Sequence, residues 1–252
     1  MVNILYFYRF ALRGNGFYHY LQLIIFFFVE YLAFDADMRS LQIIRKKTMF
    51  TTPEDWALVA REMLSKTPDA REEFADFDRL VAQELADKNS WNDLESFYQE
   101  AAGSTLSRTE FQKLQTWTTD DFEAGALSML EEAITRANQD KHIKAVYCKY
   151  GVDDAKGNLT AHLCTTFSAE NDAWASQCEG MKGAISGPKV SDIFVQTGNA
   201  RSGALASNVR NAYINARLLA AWGRAADKLQ PGLPLGFARH DFPVVKRMPG
   251  KR

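Results

Sequence analysis

Residues 144–167 read KAVYCKYGVDDAKGNLTAHLCTTF. Two runs of strand-forming residues, 143–150 and 159–167, flank a turn rich in Asp, Gly and Asn. That pattern predicts a β-hairpin. In the second run Leu159, Ala161, Leu163 and Phe167 share one face, and Thr160, His162, Cys164 and Thr166 share the other, because strand side chains alternate. The first run mixes its faces. If Cys148 lies opposite Cys164, then Tyr150 lies opposite His162, and Cys148, His162 and Cys164 crowd one surface.

Helical patterns surround the hairpin. Upstream, Thr52-Pro53, Thr67-Pro68, Ser90, Ser107 with Glu110, and Thr119-Asp120 are helix starts. Apolar residues follow each of them at three- and four-residue spacing: Trp56, Val59 and Met63; Phe74, Phe77, Val81 and Leu85; Trp91, Leu94, Phe97 and Tyr98; Phe111 and Leu114; Leu127, Leu130 and Ile134. Downstream, a long helix is expected over 205–229. The short apolar run DIFVQ, 192–196, reads as a buried strand, and 237–245 as an edge strand because it contains Pro243. The expected fold is α+β: an acidic N-terminal helical part packed on a small, mainly antiparallel sheet, which the long C-terminal helix covers.

Charge is divided along the chain. Residues 49–140 carry 20 acids and 8 bases, and residues 141–252 carry 16 bases and 8 acids. The net charge of the whole is only −1, which favours neither nucleic acid nor a membrane surface as a partner. The two parts, 49–140 and 141–252, are expected to form one domain, 49–252, either meeting each other or offering a charged face to a partner.

Residues 1–48 are different. They hold 12 of the 31 aromatic residues and only three acids, Glu30, Asp35 and Asp37. The run LQLIIFFFVEYLAF at 21–34 is apolar but interrupted by Gln22 and Glu30. Three readings compete: a membrane anchor over 17–34 with the main domain cytoplasmic, a core segment of the domain, or sequence upstream of a true start at Met49. The last is preferred, because a capped helix begins directly after Met49. Three cysteines, an odd number at low density, suit a reducing, cytoplasmic setting better than a disulfide scaffold.

Two places could carry chemistry. One is the cluster Cys148, His162 and Cys164, although no Cys-x-x-Cys spacing supports a metal. The other is the glycine-rich loop 197–203 and the helix after it, where Arg201, Arg210 and Arg217 could bind an anion at a helix start. The loop has neither the P-loop nor the dinucleotide spacing. Arg210, Arg217 and Arg224 recur every seven residues, with Lys228 beyond, so they form one stripe. No catalytic residue, metal or cofactor is indicated. The leading expectation is a non-catalytic, intracellular protein-binding molecule that works through its charged surface, as a bacterial adaptor or immunity-type protein would. The alternative is an enzyme or binding domain for an anionic or phosphate-bearing small molecule at loop 197–203.

Overall fold

The computed structural model describes residues 52–66, 70–151, 157–178, 183–197, 203–239 and 244–250. Chain contacts divide the molecule into Met1–Met49 and Phe50–Arg252. All described residues lie in the second unit, so the expectations for residues 1–48 and for Arg201 fall outside them. Among the described residues no helix is long and apolar enough to cross a membrane.

The fold is α+β. Five helices come first: α1 (Pro53–Lys66), α2 (Ala70–Lys88), α3 (Trp91–Thr105), α4 (Arg108–Gln115) and α5 (Asp120–Gln139). Their starts follow local chemistry. The Thr52 hydroxyl accepts from the Asp55 amide at 3.2 Å, with Pro53 at the first helical position where no amide is needed. Ser90 and Ser107 each build a reciprocal capping box with Asp93 and Glu110. Then come β1 (Ala145–Tyr150), β2 (Asn158–Cys164), α6 (Ala173–Cys178), β3 (Ile185–Lys189), α7 (Ser191–Thr197), α8 (Ala204–Leu229), β4 (Leu235–Arg239) and β5 (Val245–Arg247). The DIFVQ run is therefore helix α7 and not a strand. Periodicity cannot separate the two over so few residues, and Ser191-Asp192 supplies a helix start.

The sheet order is β3-β2-β1-β4-β5. Only β1 and β4 run parallel; the other pairs are antiparallel. Strand alternation sends Val146, Cys148, Tyr150, Leu159, Ala161, Leu235 and Phe237 into the large core beneath the helices. Ala145, Tyr147, Cys164 and Ala238 face the opposite side, where Trp174 and Cys178 of α6 cover them. Gly236 of β4 lets Trp174 lie close, since a Cβ there would sit 2.9 Å from the indole ring.

Helix α8 is the central element. At 26 residues it runs about 39 Å at 1.5 Å per residue. Trp222, Leu218, Ile214, Ala221 and Ala225 are buried in the large core, beside the stripe of Arg210, Arg217, Arg224 and Lys228. The stripe explains itself by its partners. Arg217 Nε binds Glu95 at 2.9 Å, Arg224 binds Glu95 at 3.1 Å and Glu123 at 2.7 Å, and Lys228 binds Glu123 at 2.8 Å. Burial works against ionisation of Glu123, but its hydrogen bonds to Lys228 and Arg224 hold its carboxyl below the usual carboxylate range. The acidic helices α3 and α5 and the basic helix α8 are thus clamped to each other. The packing is close because Gly223 faces Trp91; a Cβ at that position would lie 2.2 Å from the indole. The Trp91 indole N–H donates to Asp227 at 2.8 Å, which also takes Arg247 of β5 at 2.7 Å.

Candidate functional site

The hairpin register separates the cysteine–histidine cluster. Cys164 lies opposite Ala145, His162 opposite Tyr147, and Cys148 opposite Ala161. This differs from the expected pairing by three residues. An odd slip turns a strand's side chains to the other face. Cys148 therefore points into the helix-covered core, where burial pushes its thiol up to about 12. His162 and Cys164 point to the other side. Cys164 forms a disulfide with Cys178 across a Cα–Cα distance of 5.1 Å. Pairing two of the three cysteines removes the argument from their number for a reducing compartment. Among the described residues no group of His, Cys, Asp or Glu is placed to hold a metal ion.

The arginines of the expected anion site are also dispersed. Arg217 is buried, stacks 4.7 Å over Trp117, and donates to Glu95 and to the Leu114 carbonyl. It has a structural task and is not open to a ligand. Arg210 reaches Ser207 of its own helix at 3.4 Å. At 3.6 residues per turn, these arginines lie on the side of α8 opposite to Asn208, Asn211 and Asn215.

That asparagine face borders a cleft. It opens at the C-terminal ends of the parallel pair β1 and β4, where Tyr150 and Arg239 sit side by side in register. Ligands of sheets with parallel strands gather at such ends, because helices and loops diverge there. Helix α2 forms the other wall. A cavity of about 60 Å³ is lined by Asp78, Arg79, Tyr98, Tyr150, Asn215 and Arg239, among others. An adjoining cavity of about 160 Å³ shares Asp78, Asn215 and Arg239, and adds Phe74, Asn208 and Asn211.

Asp78 is the most perturbed acid in the cleft. Its Oδ1 accepts from the Tyr98 hydroxyl at 2.6 Å and from the Trp56 indole N–H at 3.2 Å. Burial raises its carboxyl from 3.8 to about 6, against the pull of those two hydrogen bonds. Burial and the Asp78 charge in turn push the Tyr98 phenol well up. The Tyr150 phenol, also raised by burial, donates to Asn215 Oδ1. Asn215 then has its amide Nδ2 to offer as a donor. Arg239 stacks 5.7 Å over Phe194. Among the described residues, the buried Nε of Arg79 has no hydrogen-bond partner. A buried donor left unpaired costs about 1–3 kcal/mol, so such groups call for an explanation.

Of the residues expected to bind an anion, the two that are described, Arg210 and Arg217, do not line this cleft. The signals for those that do were present but faint. Asp78 falls four residues after Phe74, on the apolar stripe of α2, where a carboxylate is out of place. Asn208, Asn211 and Asn215 recur at three and four residues along an otherwise apolar helix. No protein-family model, curated protein or solved structure matches the chain.

Proposed function

We propose that this protein binds a small, polar, anionic molecule, one bearing a carboxylate or phosphate, in the cleft between α2, the first half of α8 and the ends of β1 and β4. The observation that carries the reading is the unpartnered buried Nε of Arg79 beside Asp78 in one cavity. A guanidinium offers five donors in a planar fork that matches a carboxylate or phosphate. Arg239 adds a second cation at the same place, and Asn211 and Asn215 add amide groups. An acid perturbed by burial, lying in a cleft with charged neighbours, is a common mark of a functional site. The cavities are below the roughly 300–1,000 Å³ of drug-sized pockets, which limits the ligand to a few heavy atoms.

The reading keeps the ligand class of the anion-binding alternative but places it in this cleft and not at loop 197–203. The charge division that favoured a protein partner has another use here. Glu95 and Glu123 meet Arg217, Arg224 and Lys228 within the molecule. Calorimetric titration of the full chain with acetate, propionate, phosphate and glycine tests the proposal. At least one should bind, and Arg79→Ala should weaken it by tenfold or more. Unchanged binding by the variant, or no heat with any of the four, would overturn it.

A further inference from the structure

The cleft contains a feature that a plain anion site does not need. Asp78 lines both cavities, together with Arg239. An anion entering alone would approach a carboxylate, and like charges at a few ångströms repel. Two devices relieve that repulsion: a proton on Asp78, or a positive charge carried by the ligand. The hydrogen bonding favours the second. Both donors, Tyr98 and Trp56, are aimed at Oδ1. They support the ionised form and hold the carboxylate in one orientation, leaving Oδ2 as the acceptor for a ligand. Among the described residues, the titratable and charged groups that line the cavity with Asp78 are Tyr98 of α3, Tyr150 of β1, Arg79 of α2 and Arg239 of β4. Among the described residues no lysine lines either cavity, and the cations that do, Arg79 and Arg239, are the groups that would hold the anion.

Resting on the anion-binding reading, we infer that the ligand is a small zwitterion, a free α-amino acid with a short side chain. Its ammonium binds Asp78 Oδ2. Its carboxylate binds the guanidinium groups of Arg79 and Arg239. Its side chain lies toward Asn208, Asn211 and Phe74, in the larger cavity. The amide groups there suit a side chain with a hydrogen-bonding end, such as that of serine or asparagine. Setting an acid and two arginines in one cleft gives the site a way to reject simple carboxylates, because they leave Asp78 unpaired.

The experiment is calorimetric titration of the full chain with glycine, L-alanine, L-serine and L-asparagine, beside acetate and propionate, in two buffers of different ionisation enthalpy. At pH 7.5 the best amino acid should bind at least tenfold more tightly than propionate and with no proton uptake. Propionate, if it binds, should take up a proton on Asp78. Asp78→Asn should weaken the amino acid by tenfold or more and should strengthen propionate, which then needs no proton at position 78. Equal affinities for amino acids and simple carboxylates in the unaltered protein would overturn the zwitterion inference and leave the anion-binding reading intact. Binding by neither would overturn both.

Discussion

Replacing Asp78 by asparagine isolates the cost of keeping a carboxylate in the cleft. Its carboxyl titrates at about 6 in the folded protein, against 3.8 for an ordinary aspartate. Between these two values the folded state holds a proton that the unfolded state has lost. Stability contributed by this group is therefore fully present below 3.8 and falls as pH rises to about 6. A difference of about two in pKa corresponds to about 3 kcal/mol, an upper figure because Asp78 borders the cleft and water screens it there. In the asparagine variant, Oδ1 still accepts from Tyr98 and Trp56, so the packing and both hydrogen bonds survive. Asp78→Asn should match the unaltered protein at pH 4 and exceed it by about 2–3 kcal/mol at pH 7. Urea unfolding at half-unit steps from pH 4 to pH 7 measures the difference. A difference that stays constant across this range refutes the reasoning, and so does a variant less stable at pH 7. A stabilising substitution at a polar cleft is what a binding site kept at the expense of stability should show.

Three further outcomes test the frame that holds the cleft. Gly223→Ala should cost about 3 kcal/mol, because the added methyl meets the Trp91 indole and pushes α3 from α8; a loss below about 0.5 kcal/mol in thermal unfolding would contradict this packing. Arg217→Ala should cost about 2–3 kcal/mol, since it leaves Glu95 with Arg224 alone, unpairs the Leu114 carbonyl and empties the space beside Trp117; a cost of the size seen at exposed ion pairs would show that the pair is solvated. Thiol titration of the unfolded, unreduced chain should find one reactive cysteine, Cys148, and three after reduction. Three before reduction would remove the Cys164–Cys178 bond.

The sequence shows helices best where a few neighbouring residues decide the matter. Ser90 with Asp93 and Ser107 with Glu110 satisfy amides within four residues of themselves, so their helices could be read locally. The hairpin could be read too, but not its register, since nothing in β1 marks one face as polar. The expected pairing sets Cys148 opposite Cys164, on one surface with His162; tertiary packing selects a pairing three residues away. The arginine stripe was visible, but its partners Glu95 and Glu123 lie more than a hundred residues earlier. No local rule links them. The cleft is hardest to read, because it draws its lining from α2, α3, β1, α8 and β4, which are far apart in sequence. In sequence Asp78 is one of several acids in an acidic helix. Only the packing of Trp56 and Tyr98 against it shows that it is buried.

The most direct test of the central claim is a carbon-detected titration of the Asp78 carboxyl, in the free protein and with the tightest-binding amino acid at saturation. A midpoint of about 6 is expected in the free protein. With the amino acid bound, the midpoint should fall toward ordinary aspartate values, because an ammonium beside Oδ2 favours the charged form. A midpoint near 4 in the free protein, or one that the amino acid leaves unmoved or drives upward, would contradict it.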